Sequence, residues 1–207
     1  MRGIFITMEG PDGAGKTTQI ELLSRYLKEE GYEVLITREP GGTEISEAIR
    51  GLLLDPSHTE MKPETEMLLY AAARAQLVHE VIGPAIDSGK AVISDRFVDS
   101  SVVYQGIARG LGIETVYAVN KPAMGDYLPD VTFLLDLPAE AGIARKKEQA
   151  ELDRMEREDI AFHEKVAEGY RTLAGRDTER IFKIDATLPI EVICDMMKDR
   201  VSELLRR

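Results

Sequence analysis

The chain has 207 residues, 43% hydrophobic and 30% charged, enough for one well-solvated α/β domain and incompatible with intrinsic disorder. Its 26 Lys and Arg against 37 Asp and Glu leave a net charge of −11, which argues against coating polymeric nucleic acid or an anionic membrane but leaves a small phosphate ligand open. A single cysteine, Cys194, excludes an internal disulfide framework and a cysteine-based zinc site, and no apolar run reaches the length of about 18 residues that a membrane span needs.

In chain order, short segments rich in branched apolar residues alternate with helical patterns. The expected strands are Ile4–Met8, Val34–Thr37, Ala91–Ser94, Val131–Leu137 and Ile181–Ile184. Between the first two, Ile20, Leu23 and Leu27 recur at helical spacing, and Gly31 is placed to end that helix. A second helical stretch covers Glu64–Val78, and the last runs from Pro189 to Leu205 with Ile190, Ile193, Cys194, Met197, Val201 and Leu204 on one face and Pro189 in its first turn. Strands alternating with helices predict a parallel sheet covered by helices on both faces, within one domain spanning 1–207. The charge run Ala144–Asp159 reads as a mobile polar insertion or a solvated helix. The opening MRGIFITMEG has a short apolar stretch, then Glu9, and no signal-peptide cleavage site, so a cytoplasmic location is expected.

Directly after the first strand stands Gly10-Pro11-Asp12-Gly13-Ala14-Gly15-Lys16-Thr17, followed by Thr18, and the helical pattern begins at once. This is G-x-x-x-x-G-K-[ST], a triphosphate-binding loop. The glycines let backbone N–H groups close around phosphate oxygens, Lys16 brings a charge to the β- and γ-phosphates, and Thr17 offers a hydroxyl to Mg²⁺. Asp12 is either a turn former or a group aimed at a second ligand. The loop alone does not choose among a kinase, a GTPase switch and a motor-type ATPase. A GTPase would carry N-K-x-D after a strand, whereas Asn120-Lys121-Pro122-Ala123 lacks the aspartate and follows a helical pattern.

Ligands of open parallel sheets gather at the carboxyl ends of the strands. There the second strand supplies Arg38-Glu39 and the third Asp95-Arg96. Guanidinium groups suit phosphate and carboxylates suit Mg²⁺ through water, although either pair is also compatible with a plain salt bridge. Tyr70 and Arg74 lie four apart on one helix, and Ser101, Tyr104 and Gln105 share another polar-edged face. Taken alone, both sets are equally compatible with ordinary packing. His58, His79 and His163 form no ligand motif.

Taken in order, the blocks EGPDGAGKTTQ, TREPGGTE, LLYAAARAQLV, SDRFVDSSVVYQG and ELDRMERED closely resemble thymidylate (dTMP) kinases of the bacterial type, over essentially the whole chain. The resemblance implies a P-loop NTPase fold with a five-stranded parallel sheet, transfer of the γ-phosphoryl group of ATP to dTMP on the way to dTTP, Mg²⁺, and a homodimer. It implies that residues Gly10 to Thr18 hold ATP, with Thr17, Asp95 and Glu39 serving the metal. Asp12 would meet the deoxyribose 3′-hydroxyl, and Arg38 and Arg96 would grip the dTMP phosphate. Tyr70 would stack on thymine, Arg74 would donate to its O4, Ser101 and Gln105 would complete the base pocket, and Tyr104 would crowd a ribose 2′-hydroxyl. Residues of about 142–157 would form a lid over ATP. One departure stands out: Gln149 occupies the place where a lid arginine is expected in members without a basic residue in the loop. Arg145, Lys147 and Arg154 are the candidate replacements, the first two being the expected catalytic cations. The apolar surplus of Pro63–Ile82 suits either a subunit interface or a thicker core. Rival readings are a kinase for another acceptor and a module that binds nucleotides without transfer.

Overall fold

The computed structural model describes residues 2–147 and 152–206. Strands β1 (Phe5–Glu9), β2 (Val34–Arg38), β3 (Ala91–Asp95), β4 (Val131–Asp136) and β5 (Ile181–Asp185) form one sheet in the order β2-β3-β1-β4-β5, with every pairing parallel. Such strands lack hairpins, so the connections run through helices and both faces become buried. The expected strands agree to within a residue or two at their ends. Four of them continue to a charged residue: Glu9, Arg38, Asp95 and Asp185. The register sets Arg38 beside Asp95 and Asp95 beside Met8, so the charged ends of β1, β2 and β3 converge.

On one face, helices α1 (Lys16–Glu29) and α9 (Ile190–Leu205) pack Ile20, Leu23 and Leu27 with Ile193, Met197 and Val201 against Ile6, Met8 and Phe133. Gly31, at φ 91°, ends α1 in the left-handed conformation that a terminal glycine adopts freely. Pro189 immediately precedes α9 as its N-cap residue, at φ −56° and ψ 146°, one position before the expected first turn.

The other face carries α3 (Pro63–Leu77), α5 (Val98–Ser101), α6 (Ile113–Met124) and α8 (Ile160–Arg176) around Phe5, Phe97, Val102, Val116 and Val166. The helix α2 (Glu44–Leu54) packs on α3. Two helical runs widen into π-helical turns that periodicity does not reveal. Val78–Ile82 joins α3 to α4 (Gly83–Asp87), where Gly83 N–H reaches back five residues to Val78 and Pro84 has no N–H to offer. Val102–Ala108 continues α5 and closes with Arg109 N–H on the Tyr104 carbonyl.

The charge run divides. Its first part belongs to α7 (Ala139–Lys147), and its later described part, residues 152–159, is only partly solvated, with Arg157 and Asp159 exposed. Arg154 and Met155 are buried, because Glu66, 88 residues earlier, draws the Arg154 guanidinium inward at 2.7 Å.

Candidate active site

At the carboxyl end of the sheet lies a cavity of about 580 Å³. One side is the phosphate loop, Asp12 to Thr18. Gly15, at φ 88°, turns the chain into α1, and its backbone is one an L side chain rarely adopts. The loop carries α7 directly against it: a Cβ on Gly142 would stand 2.4 Å from the Asp12 carbonyl oxygen, and one on Gly13 would stand 2.7 Å from the Gly142 carbonyl oxygen. The Gly10 and Pro11 carbonyls each accept from Lys16 Nζ at 3.0 Å. Burial, reinforced by the Arg96 charge, lowers the Lys16 pKa to about 8 against the pull of Asp12, Asp95 and Glu9.

The strand ends supply the cations. Arg38 lines the cavity and donates to Glu47 Oε1 at 2.9 Å from an exposed position. Arg96 has φ 70° and is held on three sides: Nη2 donates to Asp12 Oδ1 at 2.7 Å, Nη1 donates to Ser100 Oγ and the Tyr170 hydroxyl, and the guanidinium lies over the Tyr104 ring at 5.4 Å. Tyr70, Ser101, Tyr104 and Gln105 also line the cavity, and burial raises both phenol pKa values so that each stays a neutral hydroxyl. Ser101, the last residue of α5, and Tyr104 and Gln105, within the π-helical turn that continues it, all reach the cavity. Gln105 donates to Glu66 Oε1 at 2.9 Å.

Two expectations change on inspection. Arg74 is 1% exposed and does not line the cavity. Its guanidinium donates to both Glu39 oxygens, to Ser101 Oγ at 3.1 Å and to Asn120 Oδ1, and lies over the Phe97 ring. Each of its three nitrogens thus donates to at least one protein acceptor, one of them the cavity-lining Ser101. Glu39 lines the cavity, and both of its carboxylate oxygens accept from Arg74. Its burial raises its pKa against the Arg74 charge.

The remaining carboxylate of the expected metal set is different. Asp95 Oδ1 is buried with no hydrogen-bond partner, and the Thr17 hydroxyl lines the cavity from an exposed position. Among the described residues no group of three or more His, Cys, Asp and Glu could hold a metal alone. That donor set fits Mg²⁺, which keeps water and phosphate oxygens as most of its ligands.

Of the lid cations, Arg145 lines the cavity, with Nη1 donating to the Gly13 carbonyl at 3.0 Å. Arg154 donates from Nε to the Leu53 carbonyl and from Nη1 to Glu66, its Nη2 is buried with no hydrogen-bond partner, and it does not line the cavity. Lys147 closes α7, and Gln149 lies outside the described residues. Sequence reasoning missed Arg50, a cavity cation that donates to the Pro40 carbonyl, as well as Asp153 and Glu156 on the rim. It also missed Glu9, Glu66 and Asn120, whose partners are distant in sequence. Glu9 alone carried a local signal, a charged residue closing an otherwise apolar strand.

The thymidylate kinase family model matches residues 8–197. The chain belongs to the thymidylate kinase family. The thymidylate kinase of a species of Exiguobacterium is 48% identical over 207 residues, which cover all of this chain and 98% of that relative. That of Caldanaerobacter subterraneus is 49% identical, again over all of this chain and 98% of the relative. Among solved structures, the thymidylate kinase of Ehrlichia chaffeensis superposes with a TM-score of 0.78 at 30% identity, covering 97% of this chain and 99% of that one. Thymidylate kinases thus match this chain nearly end to end, and the P-loop fold with its five parallel strands is theirs as well.

Proposed function

We propose that this cavity is where the chain carries out its family's reaction, transfer of the γ-phosphoryl group of ATP to dTMP, giving dTDP and ADP. The observation that carries the assignment is one cavity lined by two unlike sets of residues: the phosphate loop, and Tyr70, Ser101, Tyr104 and Gln105. A donor triphosphate fits the first and a nucleobase the second.

The amides of residues 12–18 and Lys16 hold the donor phosphates. Arg38 and Arg96 hold the acceptor phosphate in line with them, and Asp12 takes the deoxyribose hydroxyl. An oxygen of the acceptor phosphate bonds to the γ-phosphorus as the bond to the ADP oxygen breaks. That acceptor is already ionised, so no general base is required, and catalysis comes from alignment and fixed positive charge. Thr17 and Asp95 serve Mg²⁺, which when bound neutralises charge on the β- and γ-phosphate oxygens. Residues of about 142–157 act as the lid, with Arg145 as its catalytic cation, and shield the transfer from water. Tyr104 and Tyr70 shape the sugar and base sites. Arg74 acts through Ser101 and Glu39.

The proposal includes a homodimer, supported by the exposed Leu68 on α3 and the exposed Ile45 and Leu52 on the neighbouring α2. It includes a cytoplasmic setting, in keeping with freely diffusing nucleotide substrates; no helix among the described residues is long and apolar enough to cross a membrane.

Tyr70→Ala tests the division of the cavity. Stacking of an aromatic ring on a base contributes about 1–3 kcal/mol, so KM for dTMP should rise by roughly 5–150-fold while KM for ATP stays within about twofold. Equal rises in both would remove Tyr70 from the acceptor side.

A further inference from the structure

The Glu9 side chain lies at the end of β1, fully buried, immediately before the phosphate loop. Its carboxylate gathers donors from two separate elements. Oε1 accepts Phe97 N–H at 2.8 Å and Ser100 N–H at 3.2 Å; Oε2 accepts Ser100 Oγ at 2.6 Å and the Tyr170 hydroxyl at 2.8 Å. Tyr170 belongs to α8, the helix that follows the lid segment. The same two hydroxyl oxygens accept Arg96 Nη1, at 3.2 and 3.1 Å. We propose that Glu9 is a positioning residue that aims the Arg96 guanidinium at the acceptor phosphate by fixing the direction of two hydroxyl groups.

The argument is one of proton counting. A serine or tyrosine hydroxyl has one proton to give and lone pairs to accept with. An ionised carboxylate only accepts, so it draws the protons of Ser100 and Tyr170 toward itself, directly or through their mutual 2.9 Å contact. Both oxygens are then left presenting lone pairs to Arg96, which has donors only. A neutral group of the same shape does not impose that order: an amide offers N–H to one hydroxyl and competes there with Arg96. Glu9 also pins the backbone beside Arg96. Its Oε1 takes the N–H that follows Arg96, whose left-handed φ of 70° is strained for any side chain and needs such support. Burial, and after it the Asp99 charge, push the Glu9 pKa up to about 7, while Arg96, Ser100 and Tyr170 pull the other way, so the ionised form that orders the two hydroxyls predominates above that pH.

This inference rests on the reading that Arg96 holds the acceptor phosphate, and the test separates the two. Titration calorimetry with dTMP alone and with ATP alone, on the purified full chain, compares Arg96→Lys, Glu9→Gln and Tyr170→Phe. All three should weaken dTMP, by tenfold or more for the first two and by threefold or more for Tyr170→Phe, with ATP affinity within twofold. A merely structural role for Glu9 would reduce the fraction of protein that binds, not the affinity of that fraction. Unchanged dTMP affinity in Arg96→Lys would overturn the acceptor-site reading itself. A loss in Arg96→Lys without one in Glu9→Gln and Tyr170→Phe would overturn the positioning role alone. Should Glu9→Gln fail to fold, Tyr170→Phe decides by the same criterion.

Discussion

Lys16→Ala should cut kcat by about 10²–10³-fold or more, the loss expected when a preorganised group facing developing charge is removed. The ammonium is the one formal positive charge within the loop, and it is held by the Gly10 and Pro11 carbonyls. Folding should be unharmed. A lysine whose pKa is lowered on folding is a charge the folded state disfavours, so its removal should leave the thermal midpoint unchanged or higher. The same charge sets an alkaline limb. In the free protein Lys16 loses its proton as pH rises through about 8, so kcat/KM for ATP should fall there, while kcat, which reports the occupied site, should hold to higher pH because bound phosphate favours the charged form. Steady-state kinetics on the variant, together with its melting curve, test this directly. Near-normal turnover in the alanine variant would contradict the assignment of the loop.

Arg74→Ala should produce the largest loss of stability, about 3–5 kcal/mol, the range for breaking a buried ion pair by removing one partner. Arg74 and Glu39 have side chains 1% and 4% exposed, and the pair is closed by Nη2 to Oε2 at 2.5 Å and Nε to Oε2 at 2.9 Å. Without the guanidinium, Glu39 is a carboxylate in a desolvated site, and Asn120 Oδ1 and Ser101 lose a donor at the same time. Against a typical total of about 5–15 kcal/mol, such a loss is severe. The double variant Arg74→Ala/Glu39→Gln removes the stranded charge and should recover part of the stability, a coupling that a urea-denaturation cycle measures. Stability unchanged within about 1 kcal/mol, with dTMP weakened alone, would restore the direct base contact that the sequence pattern suggested.

The contrast between these two residues shows what the sequence carries. Lys16 is legible because its chemistry is local: a strand, four fixed positions and a helix follow one another without interruption. The alternation of β and α elements is legible for the same reason, since apolar periodicity lies within each segment, and the strand-end pairs Arg38-Glu39 and Asp95-Arg96 follow from knowing where strands stop. Arg74 is different. Its spacing from Tyr70 places both on one side of α3, but whether it lines the cavity or turns to protein acceptors depends on Glu39, 35 residues away, and on Asn120, 46 residues away. The lid run illustrates the same limit: its composition says solvated, yet Glu66 binds both Arg154 and Arg109 and brings that end of the run inside. Glu9 is visible in sequence only as a charge at the end of an apolar strand. What it does follows from Ser100 and Tyr170, which arrive from two other elements of the fold.

The most direct test of the central claim is nucleoside diphosphate formation from ATP and Mg²⁺ with dTMP, dUMP, CMP, UMP and AMP offered separately. The cavity described here predicts fast turnover of dTMP, weaker turnover of dUMP, and little with the ribonucleotides. Efficient phosphorylation of a ribonucleotide, or binding of dTMP with no transfer to any acceptor, would contradict it.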